Sequence, residues 1–344
     1  MRILITGGAG FLGINLVRDL LYRGNCEITS LDIAPFDYPE KTQINVITGD
    51  IRDKILVNKI VSKCDILIHT AAALPLYKRA DIFSTDVDGT RNLLEASLSH
   101  SVDRFIMIST TAVYGNPDHA VSEDAKLEGL GPYGEAKLLA EIHCEKYRKK
   151  GLCVPVLRPK TFVGPERLGI WSLLYEWARA GRNFPLMGSG KNQYQLLDVA
   201  DLCNAIYTCM TKDKDLVNDT FNVGAIKFAT VREEWQAVLT YAKHGGFLIP
   251  FPASPVKIIL KTLEMFKLSP VYKWAYETAA KDSIVITRKM EEKLGFKPKY
   301  SNTQALIRNY KWYLANYDAI QRQTGVSHRT QWNPGILKVV KKLF

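Results

Sequence analysis

The first half of the chain alternates short, almost wholly apolar runs with segments of helical spacing, and this alternation limits the fold more than any other feature. The runs are RILIT (2–6), EITSLD (27–32), INVIT (44–48), DILIHT (65–70) and RFIMIS (104–109). Segments such as FLGINLVRDLLYRG and TDVDGTRNLLEASLSH follow them, with apolar residues recurring every three or four positions. A strand that is apolar on both faces needs cover on both faces, which helices returning between parallel strands provide. The expected fold class is therefore α/β, a doubly wound parallel sheet. GLCVPVLRP (151–159) adds a sixth strand, and beyond it the pattern loosens. A helix near 168–181, then LLDVADLCNAIYTCM and TVREEWQAVLTYAKHG, read as helical, with a strand near TFNVG. Pro250, Pro252 and Pro255 read as a break, and two more helical stretches follow before KMEEKLGFKPKY.

Composition narrows the class. The 344 residues, 47% apolar and 24% charged, suit an ordinary globular protein of roughly two domains. No run approaches the roughly 18–20 apolar residues that a membrane-spanning helix needs. The N-terminal MRILITGGAGFLG is broken by glycines and lacks a small-residue cleavage site, so it does not read as a signal peptide. Cys26, Cys64, Cys144, Cys153, Cys203 and Cys209 form no C-x-x-C pair and no Cys/His cluster with metal spacing. They read as reduced core cysteines of a cytoplasmic protein, and no metal is expected. The net charge of +11 is localised: residues 1–250 carry 29 basic and 29 acidic side chains, residues 251–344 carry 17 and 6. Nucleic acid, an anionic membrane surface or a phosphorylated substrate could meet such a patch, and so could water alone.

The chemistry begins at ITGGAGFLG. Gly7, Gly10 and Gly13 follow the first strand and open the first helix, with Phe11 and Leu12 between them. A dinucleotide pyrophosphate needs this arrangement, because glycines allow close backbone approach and helix N–H groups face the anion. Asp32 ends the second strand, where a carboxylate can hold both ribose hydroxyls. It would repel a 2′-phosphate, so NAD is expected rather than NADP. This makes the first half a Rossmann domain for NAD, over residues 1–160 and completed by parts of 193–224. A smaller, mostly helical substrate domain is expected over 161–330, interleaved with it, and a basic amphipathic tail over 331–344. GDIRD (49–53) and HTAAA (69–73) follow strands three and four, and small residues there would let a cofactor lie across the sheet edge. His69, at a buried strand end, reads as a satisfied core residue.

STTAVYG (109–115) closes the fifth strand and puts the Thr110 hydroxyl at the same edge. In GPYGEAKLLAE (131–141), Tyr133 and Lys137 lie four residues apart, one turn apart on one helical face. A phenol near its ordinary pKa of about 10 is a weak base at neutral pH. A neighbouring ammonium and a cationic nicotinamide stabilise the phenolate. With a dinucleotide site upstream, Thr110, Tyr133 and Lys137 read as a catalytic set.

In order along the chain, GGAGFLG, Asp32, GDIRD, HTAAA, VDGTRNLLEA, STTAVYG, PYGEAK, LRPKTFVGP, LLDVADL and FNVG resemble the extended short-chain dehydrogenase/reductases of the NAD-dependent epimerase/dehydratase type. The resemblance runs from Met1 to about Tyr300. It implies that Asp50 and Ile51 flank the adenine, that Ala71 and Ala72 line the cofactor, and that Lys137 also holds the nicotinamide ribose. It places Pro159 and Thr161 to Val163 beside the nicotinamide and substrate, with Thr111 and Lys191 on the substrate. It further implies a nucleotide-activated sugar as substrate and a homodimer.

Two departures qualify the likeness. Dehydratases of the family carry an acid pair after the threonine, and decarboxylases a glutamate where Ala112 stands; this chain has Thr111 and Ala112. Epimerisation or simple alcohol oxidation, which need only Thr, Tyr and Lys, remain. Thr161 stands where nucleotide-sugar members carry Asn, and Lys191 and Gln193 precede Asp198 without an arginine fork. The stretch SPVKIILKTLEMFKL (254–268) has an apolar face edged by Lys257, Lys261 and Lys267. It reads as a helix on the substrate domain, or as an interfacial helix or a lid over an apolar substrate. The tail NPGILKVVKKLF repeats the mixture, so peripheral membrane contact is one reading of this end. The expected activity is sugar-nucleotide epimerase-type, with a 3-beta-hydroxysteroid-dehydrogenase-like oxidation of an apolar alcohol as the alternative. No nucleic-acid motif accompanies the basic quarter, and a nucleic-acid partner is not expected.

Overall fold

A computed structural model describes residues 1–75, 77–265, 276 and 279–321. The strands are β1 (Arg2–Thr6), β2 (Glu27–Asp32), β3 (Asn45–Thr48), β4 (Ile66–His69), β5 (Arg104–Ile108), β6 (Val156–Pro159), β7 (Phe162–Val163), β8 (Phe184–Met187), β9 (Leu197–Asp198), β10 (Thr220–Val223) and β11 (Leu248–Phe251). The helices are α1 (Phe11–Arg23), α2 (Lys54–Val61), α3 (Arg79–Phe83), α4 (Thr90–Ser99), α5 (Gly131–Arg148), α6 (Trp171–Arg179), α7 (Val199–Thr211), α8 (Lys214–Val217), α9 (Val231–Ala242), α10 (Ala253–Met265), α11 (Arg288–Leu294), α12 (Asn302–Ala315) and α13 (Tyr317–Gln321). They fall into two compact units, one of Met1–Phe162, Val199–Gly224 and Val285–Pro298, the other of Val163–Asp198, Ala225–Ile284 and Lys299–Phe344.

The first unit is a seven-stranded sheet in the order β10-β6-β5-β4-β1-β2-β3, every pairing parallel. The order reverses at β1: the chain steps to β2 and β3 on one side, then returns to β4, β5 and β6 on the other. The crevice between the C-terminal ends of β1 and β4 is where such a sheet takes ligands. Both faces are covered. Leu4, Leu67, Phe105 and Met107 pack with Leu93 of α4 and Ala140 and Cys144 of α5 on one side. On the other side α1 lies along α7, and the Arg23 guanidinium stacks 3.9 Å over the Tyr207 ring.

β6 is shorter than the expected strand, covering only Val156–Pro159. The helical segment beginning at Thr85 opens instead with a π turn over Ser84–Gly89, and α4 follows directly.

The second unit is built on α6, α9 and α12, whose Tyr175, Trp177, Val238, Leu306, Tyr310 and Tyr313 form its core. The Tyr175 ring lies 5.5 Å from Tyr310 and 5.7 Å from Tyr313. Thr230 and Ser301 close capping boxes with Glu233 and Gln304. This unit also contains a parallel pair, β8 with β11, that the sequence reading leaves out. Pro185 and Pro250 sit inside these strands. A two-stranded sheet has only edges, so each proline can turn its missing N–H away from the ladder. Pro250 therefore lies inside a strand, and the expected break falls at Pro252, between β11 and α10. The expected tail 331–344 and the end of the 254–268 helix lie outside the described residues. No helix among the described residues is long and apolar enough to cross a membrane.

Candidate active site

The glycine loop is held by its own backbone. Gly7 has φ +73°, and its N–H donates to the Leu31 carbonyl at 2.8 Å. A Cβ at Gly7 would come within 2.6 Å of the Ala71 nitrogen, so only glycine lets the loop after β1 lie against the segment after β4. Gly10 donates to the Gly7 carbonyl and caps α1 with no side-chain hydrogen bond. The first turn of α1 carries Phe11, Leu12 and Gly13 and no acid, so its N–H end is open to an anion. The Phe11 ring turns inward and stacks on Phe162, centroids 5.3 Å apart.

Asp32 stands beside this loop. Its Oδ2 accepts the Ala9 N–H at 3.0 Å and its Oδ1 the Ala34 N–H at 2.9 Å. These two backbone bonds orient the carboxylate beside the loop. Asp50, after β3, is gripped by the Arg52 guanidinium, with contacts of 2.6–3.0 Å, and those bonds hold its carboxyl below the usual range. Ile51 is buried against Gly89. After β4, Ala71 is half-buried and Ala72 exposed, while the Ala73 N–H donates to buried Asp86 at 2.8 Å.

Thr110, Tyr133 and Lys137, expected as a catalytic set, sit one strand away. Thr110 follows β5 and caps the short turn Thr111–Tyr114, its Oγ1 accepting the Ala112 N–H at 3.1 Å. The hydroxyl hydrogen remains for donation. α5 begins at Gly131 with Pro132 in its first turn, a position where the absent N–H is no loss. Gly134 has no side chain to keep that turn away: a Cβ there would meet the Ala112 carbonyl at 2.7 Å. Tyr133 is half-buried, whereas Lys137 is 2% exposed and donates from Nζ to the Ile108 carbonyl at 3.0 Å.

Beneath them His69 is fully bonded. Thr90 donates its hydroxyl to the Asp86 carbonyl at 2.6 Å, so its oxygen can only accept from His69 Nε2, 2.9 Å away. His69 Nδ1 then accepts from the Thr6 hydroxyl at 2.7 Å. Burial, and secondarily the Lys137 charge, hold the imidazole far below its ordinary range and therefore neutral. It is a structural bracket between β1, β4 and α4, with no proton to exchange at neutral pH.

Of the substrate-side residues, Pro159 is buried at the end of β6, and Thr111 and Thr161 are half-buried at the same sheet edge. Val163 and Lys191 belong to the second unit, where Val163 is fully buried in the core and Lys191 is exposed.

A family profile decides what this edge belongs to: that of the NAD-dependent epimerase/dehydratase family matches residues 3–224. The chain belongs to that family. As a member it is an NAD-dependent enzyme of the extended short-chain dehydrogenase/reductase type. It is 31% identical to the uncharacterized protein y4nG of Sinorhizobium fredii over 330 residues, 95% of this chain and 82% of the relative. It is 28% identical to a dTDP-glucose 4,6-dehydratase of Streptomyces niveus, covering 92% of this chain and 94% of the relative. In fold it resembles the UDP-glucose 4-epimerase of Thermotoga maritima, with a TM-score of 0.77 at 24% identity over 92% of this chain and 100% of that one.

Within this family member the sequence reading misses a buried charge chain beside Lys137. Glu141, one turn beyond Lys137 on α5, accepts from the Ser109 hydroxyl and from Arg158 at 2.5–3.1 Å. Arg158 also donates to the Tyr114 hydroxyl at 2.8 Å, which donates to Asn222 of β10 at 2.7 Å. Burial alone would lower the Arg158 pKa, but the Glu141 bonds reverse the effect and keep it charged. Four separated segments are tied by one network. The reading also passes over Lys160, 4% exposed at the end of β6, whose ammonium burial pushes down to about 7. The available signal was its place, a lysine directly after a strand buried along its whole length.

Proposed function

We propose that the protein is a sugar-nucleotide epimerase-type enzyme that oxidises a substrate hydroxyl and re-reduces the resulting ketone, with Tyr133 as base. The observation that carries this reading is Lys137: it is buried, bonded to the carbonyl of Ile108, and one helical turn from Tyr133. The first unit holds the cofactor. Gly7, Gly10, Phe11, Leu12 and Gly13 hold its pyrophosphate at the open end of α1, and Asp32 holds the adenine ribose. Asp50, Ile51, Ala71, Ala72 and Pro159 line its path. The glycine loop fits this group, since it presents backbone without side chains and no acid.

Bound NAD supplies the acceptor for the hydride that leaves the carbinol carbon and returns it in the second half of the reaction. Tyr133 takes the hydroxyl proton onto its phenolate oxygen and gives it back on reduction. Lys137 favours that phenolate by its charge and holds the nicotinamide ribose. Thr110 donates its remaining hydrogen to the same substrate oxygen and orients it. Thr111 and Ala112 supply no carboxyl to expel water, which favours epimerisation over dehydration. Lys191, an exposed cation, serves the substrate's phosphate, and the enzyme works as a homodimer.

The test is turnover and thermal stability with uridine and thymidine diphosphate sugars in the presence of NAD. A raised melting temperature with UDP and interconversion of 4-epimers are expected. Stabilisation by a sterol alcohol and by no nucleotide diphosphate would replace the sugar reading with the steroid-dehydrogenase one. Tyr133→Phe is expected to abolish turnover and leave NAD binding in place, and equal rates would end the assignment of the base.

A further inference from the structure

Helix α10 has an unusual division of faces. Ala253, Val256, Lys257 and Leu260, spaced as one helical stripe, are half-buried, and no residue from 253 to 262 is fully buried. The opposite face turns two adjacent isoleucines to solvent, Ile258 68% exposed and Ile259 57% exposed. Lys261 stands exposed beside them. The Thr262 hydroxyl donates to the Ile258 carbonyl at 3.0 Å, so this polar group on the face is already turned inward.

Charge identifies the occupant. Residues 253–262 contain two lysines and no carboxylate. The last 94 residues carry 17 basic and 6 acidic side chains, against 29 and 29 in all the rest. A helical face offers a peptide no unpaired backbone groups to bond, so what it can recognise with is apolar area and positive charge. That pairing suits a bilayer with anionic headgroups: branched aliphatics enter the acyl boundary while lysine stems let the ammonium reach phosphate.

We propose that α10 docks the protein on anionic lipid bilayers, with Ile258 and Ile259 in the interface and Lys261 at the headgroups. The proposal goes beyond the chemistry assigned above and does not rest on it.

The test is flotation of the full-length protein with vesicles of phosphatidylcholine alone and of phosphatidylcholine with phosphatidylglycerol. Binding to the anionic vesicles, several-fold weaker to the neutral ones and weaker in high salt, is the expected result. Lys261→Glu should lower binding by about fivefold or more, the factor one lysine contributes at such a surface. The double substitution Ile258→Glu with Ile259→Glu should abolish it, with an unchanged melting temperature showing that the unit still folds. No flotation with anionic vesicles overturns the proposal. Equal flotation of the double variant also overturns it, since another face would then bind. Self-association lost in the double variant, without lipid binding, would make a second copy of the chain the occupant and overturn it too.

Discussion

Lys137 reaches from the second turn of α5 to donate a hydrogen bond to the carbonyl of Ile108, the last residue of β5. The strand end and the helix that bears Tyr133 are thereby joined by the side chain proposed to tune that tyrosine. With one proton committed to that carbonyl, the ammonium is held in place and cannot swing toward water. Lys137→Met should therefore do more than slow the reaction. At saturating NAD, kcat should fall by about 100-fold or more, and the acid-side limb of the pH–rate profile, where the base must lose its proton, should move up toward the ordinary phenol value of about 10. A profile that keeps its wild-type limb would remove Lys137 from the tuning of the base.

Asp32 is oriented by the Ala9 and Ala34 amides, so its charge is fixed beside the glycine loop. Asp32→Asn keeps an acceptor and removes the charge. The ratio of NADP to NAD dissociation constants should fall on the order of tenfold, as expected for one charge near a phosphate in partly screened surroundings. Fluorescence titration with both cofactors measures it, and an unchanged ratio would assign the discrimination elsewhere.

Arg158 and Glu141 are 5% and 8% exposed and share three hydrogen bonds. Removing one charge leaves the other buried without its counter-charge. Arg158→Met should cost about 3–5 kcal/mol in urea unfolding. The double variant with Glu141→Gln should cost clearly less than the two single losses added together.

Lys160 gives a stability prediction with a definite sign. Its folded-state pKa, pushed by burial to about 7, lies below the ordinary lysine value of about 10.4 in the unfolded chain. Between these values the unfolded state binds more protons, so wild-type stability gains from this residue as pH rises from 7 toward 10. Below 7 the folded protein carries the full cost of a buried charge. Lys160→Met should therefore raise the melting temperature most at pH 6–7, with the advantage shrinking toward pH 10. A constant difference across that range would contradict the burial of a charged amine.

The sheet was legible because β1, β2, β4 and β5 are buried on both faces, and that condition writes itself into sequence as unbroken apolar runs. The glycine loop and the Tyr133–Lys137 spacing were legible for a similar reason, since local backbone geometry demands those residues at those intervals. β8 and β11 were not, because four residues with a proline carry no periodicity. Arg158 and Glu141 were not, because their pairing exists only once β6 lies against α5. The exposed Ile258 was placed on no face by sequence: a helix with apolar residues on two sides does not announce which side meets the protein.

The first unit is discontinuous. Its edge strand β10 and its helix α11 come from residues 220–223 and 288–294, long after β6. Asn222 of that strand holds Tyr114 and, through its side-chain amide, the carbonyl of Ile286 at 3.2 Å. During synthesis, then, the first 160 residues leave the ribosome with β6 as an unpaired edge and Tyr114 lacking its acceptor. The nascent enzyme stays unfinished until nearly the whole chain has emerged. A fragment cut after residue 160 would carry every glycine of the cofactor loop and still present an open, aggregation-prone sheet.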